Sequence, residues 1–225
     1  METITIRHPN LQPASLFPKE CQVRWSEPLS LVSLEHKSES DLAVGWAPKV
    51  QDLYTAGRLA AHQALGDLGA ENSPIGRGED GAPIWPQGTV GSITHTAGIA
   101  LAVVGATSDV LALGIDVEKE DRSLQLGLID RVASQEEGEW IREKEEEAGF
   151  RLLCLLSAKE AVFKAVCSLS GIRLGFMEAS LEGKEGGFDI RILHPRLSKE
   201  WGSLKFFLRQ GLWKGYLISG LCLRK

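Results

Sequence analysis

GIALAVVGATSDVLALGIDVE, residues 98–118, reads as two apolar strands joined by a turn. GIALAVVGA (98–106) and VLALGIDVE (110–118) are rich in aliphatic and β-branched residues, and Thr107-Ser108-Asp109 between them is a turn signal, so the spacing predicts a hairpin. Upstream, VGSITH (90–95) supplies a third strand-like run. It follows a Gly/Pro-rich loop, GRGEDGAPIWPQG (76–88), which Trp85 marks as ordered and functional. From Lys49 to about Gly69, Leu53, Tyr54, Leu59, Ala60, Ala64, Leu65 and Leu68 recur at helical spacings, with Gly69 and Pro74 as stop signals. Residues 1–48 read as irregular, punctuated by Pro9, Pro13, Pro18, Pro28 and Pro48 around short apolar pieces such as CQVRW.

Downstream, residues 123–148 are polar and helical in pattern. FRLLCLLSAKEAVFKAVCSL (150–169) is a stronger helix, with a wide apolar face and Gly171 just past its end. Strand patterns return at FDIRIL (188–193), SLKFFLRQ (203–210) and GYLISGLCL (215–223). The order helix, loop and paired strands thus occurs once in each half, without sequence identity between the halves. No regular βαβ alternation is present, so the expected fold class is α+β: two pseudo-symmetric halves, 1–112 and 113–225, around a shared cleft.

At 225 residues the chain is long enough to bury an adequate core, and 43% hydrophobic with 24% charged residues excludes a disordered or fibrous chain. With 25 Lys and Arg against 30 Asp and Glu, the net charge of −5 makes it a poor candidate for gripping nucleic acid. No stretch reaches the roughly 18 apolar residues of a membrane span. METITIRHPNLQPASLF lacks a basic start, an apolar run and a cleavage site, so a cytoplasmic location is expected. Cys21, Cys154, Cys167 and Cys222 form no CxxC pair and read as buried thiols.

Asp116 and Glu118 stand two apart on a strand, so their carboxylates share a face and repel unless a hard divalent cation neutralises them. In isolation, such a pair is commonly the solvated end of a strand. On the 150–169 helix, Glu160 and Lys164 are spaced i, i+4 beside Lys159; alone, that is a surface salt-bridge stripe. GSITHT (91–96) gathers Ser92, Thr94 and His95, groups suited to a phosphate, though a lone His near a strand end is more often structural. Arg58 and Arg77 carry the planar donor fork that pairs with phosphate, with a surface arginine as the default.

REKEEEAGF (142–150) resembles the second half of the Nudix box, but Lys144 stands where an apolar residue is required, and the upstream Glu and Gly would fall on Ser134 and Leu128. His8, His36, His62 and His194 show no metal-ligand spacing, and Walker A, GxSxG and GxGxxG motifs are absent.

Taken in order, TAGRLAAHQAL (55–65), PIWPQGTVGSITHT (83–96), GIDVE (114–118), SAKEAVFKA (157–165) and LGFMEA (174–179) resemble the 4'-phosphopantetheinyl transferase family, in its monomeric surfactin/enterobactin type. The resemblance implies transfer of the phosphopantetheine arm of coenzyme A to a serine of an apo acyl or peptidyl carrier protein, releasing 3',5'-ADP. It implies Mg²⁺, or Mn²⁺, held by Asp116, Glu118 and Glu160, and coenzyme A phosphates contacted by Ser92, Thr94 and His95. Arg58 and Arg77 match basic positions for the adenosine 3'-phosphate and pyrophosphate, and Lys159 and Lys164 would face the pyrophosphate. Glu160 is the expected base, Lys164 the group that stabilises the leaving oxygen, and a monomer the expected state. The chain departs from the family at Val50, Gln51 and Asp80, where basic residues are common, and at Leu156, where an aromatic is common. Two rivals are a Mg²⁺-dependent coenzyme A or nucleotide pyrophosphohydrolase and a non-catalytic coenzyme A or carrier-protein binding module.

Overall fold

A computed structural model describes residues 11–28, 32–79, 81–201 and 206–225. Asp80, the first residues of the expected 203–210 strand and the opening of the irregular 1–48 stretch lie outside the described residues. The first part of the chain carries β1 (Gln22–Ser26), a short α1 (Lys37–Asp41), a long α2 (Pro48–Leu68), the paired dipeptides β2 (Gly76–Arg77) and β3 (Pro83–Ile84), then β4 (Thr89–Thr96) and β5 (Ile99–Ala106). The second carries β6 (Val110–Lys119), short α3 (Ile129–Val132) and α4 (Gln135–Arg142), a long α5 (Ala148–Ser170), β7 (Ala179–Lys184), β8 (Gly187–Ile192), α6 (Ser198–Trp201), β9 (Phe206–Trp213) and β10 (Tyr216–Arg224).

Among the described residues two larger antiparallel sheets result, ordered β1-β5-β4 and β6-β10-β9-β8-β7, beside the small β2-β3 pair. In each, the strand that precedes the long helix pairs with the last strand of its part, which in turn pairs with the strand before it. The fold is therefore α+β with the same β-α-β-β wiring used twice. The two long helices run close to their expected bounds, each ending at a glycine in the left-handed region, Gly69 (φ 74°) and Gly171 (φ 68°).

The expected hairpin of 98–118 is corrected. The 107–109 turn is present, but β5 and β6 do not pair: β5 gives both edges to β1 and β4, while β6 pairs with β10. A turn signal fixes a chain reversal, whereas the edge a strand uses depends on what else competes for it. CQVRW, expected to be irregular, contributes β1, with Trp25 opposite Leu101. That strand is too short and too mixed in pattern to announce itself.

Burial on both faces explains the unbroken apolar runs of β5 and β6. Leu113, Ile115 and Val117 of β6 face an inter-sheet core with Leu101, Val103 and Ile218, while Ala112 on the opposite face joins the core around α5. Ala60, Ala61 and Ala64 of α2, all fully buried, pack on Ala102 and Val104 of β5, and the small side chains permit close approach.

Gly114 lies on the α5 side of β6, and a Cβ there would run into the backbone carbonyl of Ala161 and sit 3.1 Å from Ala165 Cβ. The glycine of GIDVE is thus a point of close approach between the helix and strand backbones. Gly114→Ala is expected to cost about 2–3 kcal/mol through overpacking, read as a lower midpoint in urea denaturation. An unchanged midpoint would refute this packing.

Candidate active site

Even-numbered side chains of β6 face α5, so after Ala112 and Gly114 the next two, Asp116 and Glu118, emerge beside the polar stretch of that helix. On the far side from β10, the edge of β6 is closed by side chains. Ser92 Oγ accepts from the Ile115 N–H at 3.2 Å, Thr94 Oγ1 accepts from the Val117 N–H at 3.3 Å, and Lys164 Nζ donates to the Ile115 carbonyl at 2.9 Å. β4 and α5 are stitched to β6 at the place where the carboxylates begin.

Asp116 is the hub. Its Oδ1 accepts from Lys164 Nζ at 2.9 Å and from Thr94 Oγ1 at 3.1 Å, while its Oδ2 is buried without a hydrogen-bond partner. Burial raises the pKa of Glu160 above the ordinary carboxylate value, and the charge of Asp116 raises it further, opposed by Lys164. Glu118 is raised by the same two causes and is paired with Arg122. Burial, then the positive charge of Lys164, lowers the pKa of His95 and favours the neutral imidazole at neutral pH. Glu118 and Glu160 both feel the charge of Asp116, whose Oδ2 is an orphaned buried oxygen, and carboxylate oxygens are the donor type a hard divalent cation takes, although among the described residues these three do not bring their ligand atoms within 4.8 Å of one another.

The cluster borders a cleft of two adjacent chambers that share Gly81, Pro83 and Ile93 as lining residues. One, about 690 Å³, is lined by Glu160, Lys164, Phe163, Trp85, Arg173 and Leu174 among others. The other, about 630 Å³, takes its walls from Trp46, Tyr54, Arg58, Arg77 and His95. Aromatic faces and guanidinium groups in the second chamber suit a nucleotide. Arg77 lies over the Trp46 ring, 4.8 Å from its centroid.

Asp116, Glu118, Glu160, Lys164 and His95 come together as a group, with Arg77 at the neighbouring wall. Two other positions, Lys159 and Thr94, need correction, while Ser92 and Arg58 line the cleft and are also bonded within the fold. Lys159 is fully buried, its Nζ bound to Glu137 Oε2 at 2.8 Å and to the carbonyls of Val132 and Phe176, so it is turned away from the cleft into the core. Thr94 has its one hydroxyl proton on Asp116 and has none to offer a phosphate. Ser92 lines the cleft with its oxygen accepting from the Ile115 N–H, a bond that leaves its own hydroxyl proton available to a phosphate. Arg58 lines the second chamber with its guanidinium nitrogens on the carbonyls of Ile75 and Gly76 at 2.8 and 3.1 Å. Within REKEEEAGF, Glu143 and Glu147 are paired to Arg151.

Trp46, Phe163 and Arg173 escaped the sequence reading. The one available signal was a cation two residues past the helix-ending Gly171.

The raised carboxylates have a consequence for stability. A carboxylate whose folded pKa exceeds its unfolded value contributes stability below the unfolded pKa, and loses it as pH rises through the folded one. In EDTA, Glu118 and Glu160 should therefore lower the stability of the protein as pH climbs above 4.5, their ordinary value. Asp116→Asn removes the charge that raises both, and should shrink that loss in thermal melts taken from pH 4 to 8, values bracketing the ordinary carboxylate range and neutrality. An identical loss in the variant would exclude the coupling.

Among the described residues no helix is long and apolar enough to cross a membrane. A family model described as the 4'-phosphopantetheinyl transferase N-terminal domain matches residues 38–105, and one for the 4'-phosphopantetheinyl transferase superfamily matches 112–218. The chain is 38% identical to 4'-phosphopantetheinyl transferase Svp of Streptomyces mobaraensis, over 75% of this chain and 69% of that protein. It is 32% identical to Npt of Nocardia iowensis, over 83% and 88% respectively. With PptT of Mycobacterium tuberculosis the identity is 34%, over 80% and 82%. The matched segments contain every residue of the carboxylate–lysine cluster, and this chain belongs to the 4'-phosphopantetheinyl transferase superfamily.

Proposed function

We propose that the protein transfers the 4'-phosphopantetheine arm of coenzyme A to a serine hydroxyl of an apo acyl or peptidyl carrier protein, releasing 3',5'-ADP. The observation that carries this reading is the Asp116 hub, with its orphaned Oδ2, Glu160 and Lys164 at the edge of a two-chambered cleft. The chamber of Trp46, Tyr54, Arg58 and Arg77 takes the nucleotide. The chamber of Trp85, Phe163 and Leu174 takes the less polar pantetheine arm. Residues 1–112 and 113–225 act as the two halves, each lending one wall.

Asp116, Glu118 and Glu160 would hold Mg²⁺, which when bound neutralises charge on the pyrophosphate. Glu160 takes the proton of the carrier serine, directly or through a water, as the oxygen attacks the β-phosphate. Its raised pKa brings it closer to the operating pH, where a general base works best. Lys164 spends two of its three N–H groups on Asp116 and Ile115, and directs the third at the leaving phosphate oxygen. His95 and Arg77 hold the phosphates from the nucleotide side.

Intact-mass spectrometry of an apo carrier protein incubated with this protein, coenzyme A and Mg²⁺ tests the reading. The expected result is a gain of one phosphopantetheine, lost with EDTA. Bound coenzyme A without transfer across several carrier types would leave a binding module. Cleaved coenzyme A with an unmodified carrier would indicate a hydrolase.

A further inference from the structure

A second cluster of ligating side chains lies where α1 meets α2. His36 and Glu39 bracket the start of α1, His62 sits on α2, and each can offer one ligand atom such that all three lie within 4.8 Å of one another. The rings of His36 and His62 are 5.1 Å apart. Glu39 is 1% exposed; its Oε1 accepts from the Ile75 N–H and pairs with His62 Nε2, both at 2.7 Å, while its Oε2 is buried without a hydrogen-bond partner. The nearest cation, Arg58, stops at 3.9 Å from Oε2, beyond hydrogen-bond reach, because its terminal nitrogens are drawn to the Ile75 and Gly76 carbonyls. The Glu39 carboxylate is thus a buried charge with an unused oxygen facing no donor.

We propose that His36, Glu39 and His62 form a binding site for a divalent transition-metal ion of the Zn²⁺ class, separate from the all-oxygen cluster at Asp116. Two imidazoles and one carboxylate select Zn²⁺ or Co²⁺ over Mg²⁺, which prefers oxygen donors and retained water. Bonds of about 2.0–2.1 Å place tetrahedral ligand atoms roughly 3.4 Å apart, so side-chain adjustment of the order of 1 Å closes the site. The surrounding contacts suit ligation. His36 Nε2 bonds the Asn72 side-chain oxygen at 3.0 Å, leaving Nδ1 as the ligand, and Asn72 is itself anchored to Glu35 at 3.1 Å. On the metal, His62 Nε2 exchanges its hydrogen bond to Glu39 for a coordinate bond, and the ring proton resides on Nδ1. A water completes the coordination. The ion clamps the segment that leads into Trp46 and Ala47, both of which line the nucleotide chamber.

The test is Zn²⁺ titration of the full chain by calorimetry in excess Mg²⁺, which occupies the oxygen cluster, together with thermal melts. Saturable binding of one Zn²⁺ per chain is expected, with a higher melting temperature. His36→Ala, at a half-buried position, and His62→Gln, which keeps a donor for Glu39, should each weaken binding on the order of tenfold or more. His194→Ala should leave it unchanged. No saturable binding in Mg²⁺ excess, binding indifferent to His36→Ala, or equal weakening by His194→Ala would each overturn the assignment.

Discussion

Asp116→Ala is expected to yield a folded protein whose transfer to a carrier falls on the order of 10³-fold, the scale on which a single preorganised electrostatic group acts in an active site. The side chain anchors Lys164 and Thr94, and its second oxygen is the buried orphan of the cluster. Its removal would deprive the proposed divalent cation of one ligand and free Lys164 to leave its position against β6. Stability should suffer far less. Lys164 keeps the Ile115 carbonyl and is 30% exposed, so its charge stays solvated, and relief of repulsion on Glu118 and Glu160 offsets part of the lost hydrogen bonds. The net cost should be about 1–2 kcal/mol. Asp116→Asn separates charge from shape, because the amide oxygen still accepts from Thr94 and Lys164. Transfer should fall in it to a similar extent. Near-normal transfer in either purified variant, measured by carrier mass, would sink the role of Asp116.

The largest expected effect on stability belongs to Lys159. Its ammonium is fully buried and bound three ways, tying α5 to Val132 at the end of α3, to Glu137 on α4 and to Phe176 ahead of β7. Glu137 is equally committed. Its Oε2 also accepts from the Ser134 N–H at 2.7 Å, completing a capping box, and its Oε1 accepts from the Leu181 N–H of β7 at 2.8 Å. Burial lowers the pKa of the lysine, opposed by its carboxylate partner. Removing one member of a buried ion pair leaves the other charge uncompensated, so Lys159→Ala should cost about 3–5 kcal/mol in urea denaturation. Lys159→Met refills the volume and, combined with Glu137→Gln, removes both charges; the pair should be milder than Lys159→Ala. Per folded molecule, transfer in that double variant should stay close to wild type. A stable Lys159→Met protein that binds coenzyme A poorly would restore the phosphate role the sequence suggested.

Much of the architecture is legible locally. The long helices show apolar spacing and a terminal glycine, and the strands around 90–118 show as apolar runs because they are covered on both faces. The carboxylate pair is legible for the same reason: alternation on β6 places Asp116 and Glu118 on one side, and the i, i+4 spacing on α5 places Glu160 and Lys164 together. What local pattern cannot carry is the partner. β1 and β6 find their ladders with strands far away in sequence, and the turn at 107–109 is as consistent with the predicted hairpin as with the observed crossing to β10.

The same limit separates the site residues. Periodicity alone determined that Asp116 and Glu118 share one face of a strand and Glu160 and Lys164 one face of a helix; the family resemblance, not the spacing, pointed to chemistry there. Only the tertiary structure decided that Lys159, adjacent to Glu160 in the chain, points the other way into a shell of acceptors, and that the hydroxyls of Ser92 and Thr94 close the open edge of β6. A polar side chain engages the nearest groups that satisfy it, and in a buried setting those groups come from segments that no window along the chain contains.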